Sequence, residues 1–453
     1  MAQETVGYDE LREDRDYESG GVQVGEFLQQ LENKRTANLR LIPTDDDEVK
    51  AMLRSLGEPI IYFGEDKADR RERLTELVVS RNIDLTNQDV EMGEDDEDGD
   101  DDLAEDEEFY TPGSEELMNA RKFITEYSSI QAKERIHKQQ QDSTISMAKQ
   151  LTIRRALNEQ IKKFELGGSQ LVSTRPVSQV AINKRNHDQI LSGSWSGNVK
   201  LLNKNLEVLK EFEYDEGKIS GLDWSPTTDN LFLSSGDQLS LWDIESLEST
   251  PISAFKGHEG RIVRSKFHPS GKFIASASFD QTWRLWDIET QQQLLLQEGH
   301  SKEVYTLGFQ KDGSLLASAG LDAIGHVWDL RLGKSIMILD GHIKPIYGLD
   351  WRDNGYQIAT GGAEGSIKIW DLRMSKDIFT IPAHNKIISD LKFNGNILSS
   401  SSYDGTVKLY NCDNWIELHR LEGHSDKVMS VDLADDFIIS SGWDRSVKIW
   451  LQE

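Results

Sequence analysis

The chain has 453 residues, 29% of them charged, a formal net charge of −28 and a single cysteine. That length holds one large domain and smaller pieces besides, while the lone Cys412 excludes an intramolecular disulfide framework and fits a reducing compartment. No 18-residue apolar run occurs and the N-terminus, MAQETVGYDELRED, has no apolar leader, so neither a membrane-spanning nor a secreted protein is expected.

Residues 1–37 read as a flexible N-terminus with one short helix, because Val24, Phe27, Leu28 and Leu31 repeat at the spacing of a helical face. Within residues 38–88, Thr44 to Glu48 place a cap and first-turn acids ahead of the stripe Val49, Met52, Leu53, Leu56, which Gly57 and Pro59 stop. An apolar turn from Pro59 to Phe63 follows, then a charged helix through Arg70, Arg71, Arg73, Leu74, Leu77 and Val78. So small a unit buries little core alone and is expected to dock on a partner. Its run IPTDDDEVKAMLRSLGEPIIYFGEDKADRRERL resembles the splicing factor motif of a few pre-mRNA splicing proteins. The three arginines are candidates for a phosphate or acidic surface, and a merely solvated helix face is the alternative.

Residues 89–113 read as an acidic linker: positions 89–108 hold 14 Asp/Glu and no Lys/Arg, and the tract ends Phe109-Tyr110-Thr111-Pro112. Thr-Pro beside acids suits phosphorylation of Thr111 or, more plainly, a linker boundary. Residues 114–166 contain no Gly or Pro, which predicts a long basic helix, roughly 75 Å at about 1.5 Å per residue if its Gln- and Ser-rich middle does not bend. Positions 121–163 carry ten Lys/Arg against four Asp/Glu, so Arg121, Lys122, Lys133, Arg135 and Lys138 are candidates to meet RNA or an acidic protein.

Residues 167–453 repeat one pattern, clearest from Gly257-His258 to Trp286-Asp287. Its closing positions 202, 242, 286, 328, 370, 410 and 450 are spaced by 40, 44, 42, 42, 40 and 40 residues, the period of WD40 repeats. Seven copies predict an all-β seven-bladed propeller behind a mostly helical arm. Ser276, Ser318, Thr360, Ser400 and Ser440 lie ten residues before the closing aromatic, and Asp280, Asp322, Glu364, Asp404 and Asp444 lie six before it. Similarity to WD40 proteins implies a buried chain through His258, Ser276, Asp280 and Trp286, through His300, Ser318, Asp322 and Trp328, through His342, Thr360 and Trp370, and likewise from His384 and His424. These histidines then read as structural, not as bases or metal ligands. Blade one, with Ser196 at the Asp position, and blade two, a residue short near Gly236, should be least regular. Three residues after Trp450 are too few for an outer strand, so a segment near Gly168–Ser173 must supply it.

The order of motifs, with GSQLVSTRP at 168–176, SWSG at 194–197, HPSGKFIASASFDQTWRLWD at 268–287, LLLQEGH at 294–300 and GWDRSVKIW at 442–450, resembles the Prp-four family of pre-mRNA processing factors, WD-repeat subunits of the U4/U6 small nuclear ribonucleoprotein. The resemblance implies a non-catalytic nuclear scaffold of the U4/U6 and U4/U6.U5 particles, with U4/U6 small nuclear RNA, U4/U6-specific splicing proteins and a U4 stem-binding protein as partners. It implies no cofactor, metal, membrane or small-molecule substrate. From the repeats themselves, the residue before each turn acid should sit on one rim, which puts Trp195, Tyr403 and Trp443 on adjacent blades, flanked by Arg445, as a candidate interface with Phe279 further round. Filler between blades is the alternative, and Trp283 with Arg284 is a lesser candidate. No phosphate loop, clustered metal ligands, Ser elbow or channel-spaced acids suggest an enzyme. A second reading, a WD40 substrate adaptor of a ubiquitin ligase recognising a modified peptide, needs a cationic ring at the channel mouth, for which Arg261, Arg264, Arg284 and Arg331 are available. Residues 166–453 hold 38 acids against 29 bases, so any RNA contact must be local.

Overall fold

A computed structural model describes residues 43, 46–60, 67–80, 113–213, 217–246 and 250–452. The expected helix over 24–31, the acidic tract 89–108 and Thr111 lie outside them. Contacts divide the chain into two compact units, residues 1–108 and 109–453.

In the first unit, α1 (Asp46–Ser55) and α2 (Lys67–Ser80) each carry an apolar stripe: Val49 and Leu53 on one, Leu74 and Val78 on the other, each pair four residues apart and so on one face. Those four side chains are buried together, with Met52, Leu56 and Leu77 packed at the edge. Gly57 adopts φ +69° just past α1, the left-handed position at which a glycine ends a helix without a Cβ penalty, and Glu58 N–H returns to Leu53 O at 3.1 Å.

The second unit opens with α3 (Glu115–Ser143), capped by Ser114 Oγ accepting from Leu117 N–H at 3.2 Å, and α4 (Met147–Ile161). Where the missing Gly and Pro predict one long helix, the chain breaks over 144–146. The cause is local: Ser143 and Thr144 hydroxyls donate to the carbonyls of Gln140 and Gln141, each at 2.7 Å, so side chains take over backbone acceptors that a continuing helix would use. The helical stretch also ends earlier than 166, since Phe164 to Leu166 already belong to a strand.

From there 28 strands make seven four-stranded antiparallel sheets, the seven blades. The second strand of each regular blade is built of small residues, IASAS, LASAG, IATGG, LSSSS and IISSG, because it is covered on both faces by neighbouring blades. A Cβ at Gly361 would stand 2.7 Å from Ile388 Cγ2 of the next blade. Aromatic and aliphatic residues from adjacent strands fill the wedges between, while the fourth strands face outward with their edges unpaired. The seventh blade consists of β26 (Val428–Leu433), β27 (Phe437–Gly442), β28 (Ser446–Gln452) and, on its outer edge, β1 (Phe164–Leu171). Ladder partners run from Phe164 opposite Gln452 to Leu171 opposite Ser446, with a bulge between Leu166 and Gly168. The ring is therefore closed by the strand before blade one, as its sequence requires, although this strand starts at Phe164 and ends at Leu171 rather than spanning 168–173.

Antiparallel connectivity sorts the loops. Turns between second and third strands, and the connections from blade to blade, lie on one face, here the turn face; the other two sets of loops lie on the opposite face. The arm occupies that opposite face. Leu117, Ala120 and Ile124 of α3 enter a core with Phe273, Leu294, Leu316 and Leu330 of blades three and four, and Phe123 meets Phe273 edge-on at 5.9 Å. Further along, Leu157 and Ile161 of α4 pack on blades six and seven, where Asn411 Nδ2 donates to Asn158 Oδ1 at 2.8 Å.

Candidate functional site

Each regular blade carries the same buried relay. In the third, Trp286 Nε1–H donates to Ser276 Oγ at 2.8 Å, Ser276 Oγ–H to His258 Nε2 at 2.7 Å, and His258 Nδ1–H to Asp280 at 2.7 Å. Blade four repeats it through Trp328, Ser318, His300 and Asp322 with every step at 2.8 Å. Blade five uses Trp370, Thr360, His342 and Glu364, and blades six and seven use His384, Ser400, Asp404 and His424, Ser440, Asp444, Trp450. Burial lowers the His258 and His342 pKa against the pull of their carboxylates, which keeps both rings neutral, with one nitrogen donating and one accepting. Burial would raise the Asp280 carboxyl, but hydrogen bonds from Thr282 and His258 outweigh it and hold it low. Both ring nitrogens are occupied, so these histidines have none to offer a substrate or metal. The two earliest blades depart as expected: Ser194 and Ser196 hydroxyls bond each other in the first, and Trp242 Nε1–H reaches Ser234 Oγ at 2.8 Å with no histidine in the second.

The basic candidates divide into two groups. Arg70 is only 5% exposed and is paired with Asp46 across the α1–α2 unit, and Arg73 donates to the carbonyls of Pro59 and Ile60 at 3.0 and 3.3 Å. Arg121 is half-buried against Gly333. Arg135 forms a two-pronged bond to Asp312, at 2.9 Å from Nε and 2.8 Å from Nη2, and donates to Asn354 O at 3.1 Å. Arg70, Arg73 and Arg135 hold the chain to itself, a correction to the expectation that they face a partner: Asp46, Asp312 and loop carbonyls, distant in sequence, are nearer acceptors. Arg71, Lys122, Lys133 and Lys138 are exposed. Asp312 is nearly buried, so Arg135→Ala should leave a carboxylate uncompensated and weaken docking of α3 by about 2–3 kcal/mol. Faster amide exchange in α3, with the blade strands unchanged, is the readout; equal exchange would remove the pair from the docking argument.

On the turn face, Trp195 and Trp443 meet edge-to-face with centroids 4.8 Å apart, although one belongs to blade one and the other to blade seven. Lys427 Nζ lies 5.0 Å from the Trp443 ring and 5.1 Å from Tyr403, and Lys218 Nζ lies 5.0 Å from Trp195. All three rings are partly exposed, and Arg445 is exposed in the same turn as Trp443. Phe279, 40% exposed, stands apart on blade three. Trp283 is fully buried, so that lesser candidate is packing.

The central channel corrects the expectation that no acids have channel spacing. Asp223, Asp350, Asp390 and Asp432 stand on innermost strands together with Lys266 and Lys392. Lys266 pairs with Asp223 at 2.6 Å, Arg264 reaches across the ring to Asp390 at 3.6 Å, and Phe393 and Ile182 amides donate to Asp350 and Asp432 at 2.7 Å. Burial opposes the charge on Lys392, yet Asp390 and Asp350 outweigh it and raise its pKa. The acids thus tie neighbouring blades together. The repeated Leu-Asp-Trp at 222–224 and 349–351 is the signal that would have found two of them. Among the described residues no cluster of three or more His, Cys, Asp or Glu is placed to hold a metal, and no helix is long and apolar enough to cross a membrane. The cationic ring needed for a ligase adaptor does not assemble: Arg331 bonds Asp329 beside the arm face and Arg284 bonds Gln293 on an outer strand, leaving Arg261 and Arg264 near the mouth.

Two family models match the chain. Residues 49–77 match "pre-mRNA processing factor 4 (PRP4) like", which covers most of α1 and most of α2, and five segments between 249 and 450 match "WD domain, G-beta repeat". The protein named U4/U6 small nuclear ribonucleoprotein PRP4 of Saccharomyces cerevisiae is 46% identical over 442 residues, 94% of each chain. The Homo sapiens protein named U4/U6 small nuclear ribonucleoprotein Prp4 is 36% identical over 177 residues, 39% of this chain and 33% of its own, and a PRP4-like protein of Arabidopsis thaliana is 36% identical over 269 residues, 57% and 40%. Because the likeness to the yeast protein extends over 94% of each chain, this chain belongs to the PRP4 family.

Proposed function

We propose that the protein is a non-catalytic subunit of the U4/U6 small nuclear ribonucleoprotein, acting in the nucleus as a scaffold for pre-mRNA splicing. The observation that carries this is the continuous likeness to the yeast U4/U6 protein over 94% of both chains, since it includes the N-terminal helical unit and not only the widespread propeller. The relays and channel acids are consumed in holding blades together, which suits a rigid platform. Arg71, Lys122, Lys133 and Lys138 remain as the groups to meet U4/U6 RNA or acidic partner surfaces, including a second U4/U6-specific protein and a U4 stem-binding protein.

Affinity purification of the tagged full chain from nuclear extract, followed by sequencing of the bound RNA, tests the reading. U4 and U6 should be enriched, and reversing the four exposed cations to Glu should lower their recovery at low salt and leave the remainder less sensitive to added salt. Co-purification of a cullin ligase without either RNA would overturn it.

A further inference from the structure

The arm packs on one face of the ring, and the opposite rim carries a cluster of aromatic and cationic side chains. The chemistry of that rim is set by what already sits on the rings. An uncovered cage of Trp and Tyr would attract a cation through its negative ring faces. Here Lys427 lies over both Tyr403 and Trp443, and Lys218 over Trp195, so the protein's own ammonium groups fill that role. The surface presented outward is therefore positive with aromatic walls. Arg445 adds an exposed guanidinium in the Trp443 turn, and Arg175 adds another next to Pro176, whose carbonyl accepts from Trp195 N–H at 3.0 Å.

The acids nearby keep their charge but are largely engaged within the blades. Asp444 and Asp404 are bound by His424 and His384 and by the hydroxyls of Ser446 and Thr406. Asp426 is exposed beside Lys427, and the Asp237 carboxylate stands against Gly217, next to Lys218, as well as towards Arg261. Four cations thus ring three aromatics on blades six, seven, one and the start of two, within a propeller that is acidic as a whole.

We propose that this rim is a docking site for an Asp/Glu-rich segment of a partner protein, laid across the Trp195–Trp443 pair with its carboxylates on Lys218, Lys427, Arg445 and Arg175. The cations are spread along the aromatic cluster: Lys218 and Lys427 occupy different rings and do not converge on one point. A fork of arginines closing on one dianion is the arrangement that favours a phosphate group; a row of separated charges favours carboxylates repeated along an extended chain. Nucleic-acid bases would have to stack on ring faces that the lysines already occupy. The proposal is independent of whether U4/U6 RNA co-purifies with the protein, because its test uses the purified chain alone.

Fluorescence anisotropy of a labelled Glu-rich peptide containing one Phe, titrated with the full-length protein, is compared with a Lys-rich counterpart and with a labelled oligouridylate of equal charge. The Glu-rich probe should bind, more weakly as salt rises, and the Lys-rich probe should not. Lys427→Glu and the surface change Lys218→Glu should each weaken binding about tenfold, and Trp443→Ala about thirtyfold, with thermal melting of the Lys218→Glu variant unchanged as the check on folding. Equal or tighter binding of the oligouridylate would make the rim an RNA surface and overturn the proposal. So would binding of the acidic probe that all three variants leave intact.

Discussion

Replacing Phe164 with alanine should destabilise the propeller by about 3–5 kcal/mol, the range for deleting a buried aromatic ring. Phe164 is the one inward-facing residue at the start of β1, 3% exposed, and it packs with Ile161, Leu421, Leu433, Ile438 and Trp450 between blades six and seven. The rest of β1 is largely exposed, so its hydrogen-bond ladder to β28 supplies register and this ring supplies most of the apolar anchorage. His419 also depends on the site, because its Nε2 lies 3.0 Å from Phe164 O. Urea unfolding followed by tryptophan fluorescence checks the magnitude, with Leu171→Ala as the control at the exposed end of the same strand, where about 0.5 kcal/mol or less is expected. Similar losses for the two variants would mean that closure does not rest on the buried end.

A second large effect is expected from Thr360→Val, which keeps the shape of the side chain and removes its hydroxyl. That oxygen accepts from Trp370 Nε1–H at 2.8 Å and donates to His342 Nε2 at 2.7 Å, at a site with no exposure. Valine would leave two buried polar groups unpaired, at about 1–3 kcal/mol each, for a total of about 2–6 kcal/mol. Thr360→Ser retains the hydroxyl and should cost about 1 kcal/mol for the lost methyl group. The comparison of the two by urea unfolding separates hydrogen bonding from packing; a valine variant as stable as the serine variant would show that the relay contributes nothing to the blade.

The repeat made the architecture legible because it is written in residues with fixed partners. A Gly-His opening and Trp-Asp close, six and ten residues from fixed acids and hydroxyls, can be satisfied in only one kind of blade, and the alternating segment before blade one supplies the seventh blade's outer strand. The arm was less legible. Composition showed a basic helical segment but not which of its cations face inward, because Arg135 and Arg121 find their neighbours in loops some two hundred residues further on. Arg70 was misread for the same reason on a smaller scale: its acid, Asp46, lies on a separate helix. The break at Thr144 depends on hydroxyls choosing a backbone acceptor, a competition that a tally of Gly and Pro does not see. The channel acids are not legible as a group because they are spaced by whole blades and only curvature brings them together.

Closure by β1 has a consequence for how the molecule is made. The segment that completes the ring leaves the ribosome long before its neighbour β28, which is separated from it by the whole of the propeller. At about 5–20 residues per second of synthesis, β1 waits on the order of 15–60 s for the strand it pairs with. Throughout that interval Phe164 and the edge of every finished blade are open to other chains in the cell. The nascent protein is thus a natural client for chaperones until its two distant ends meet.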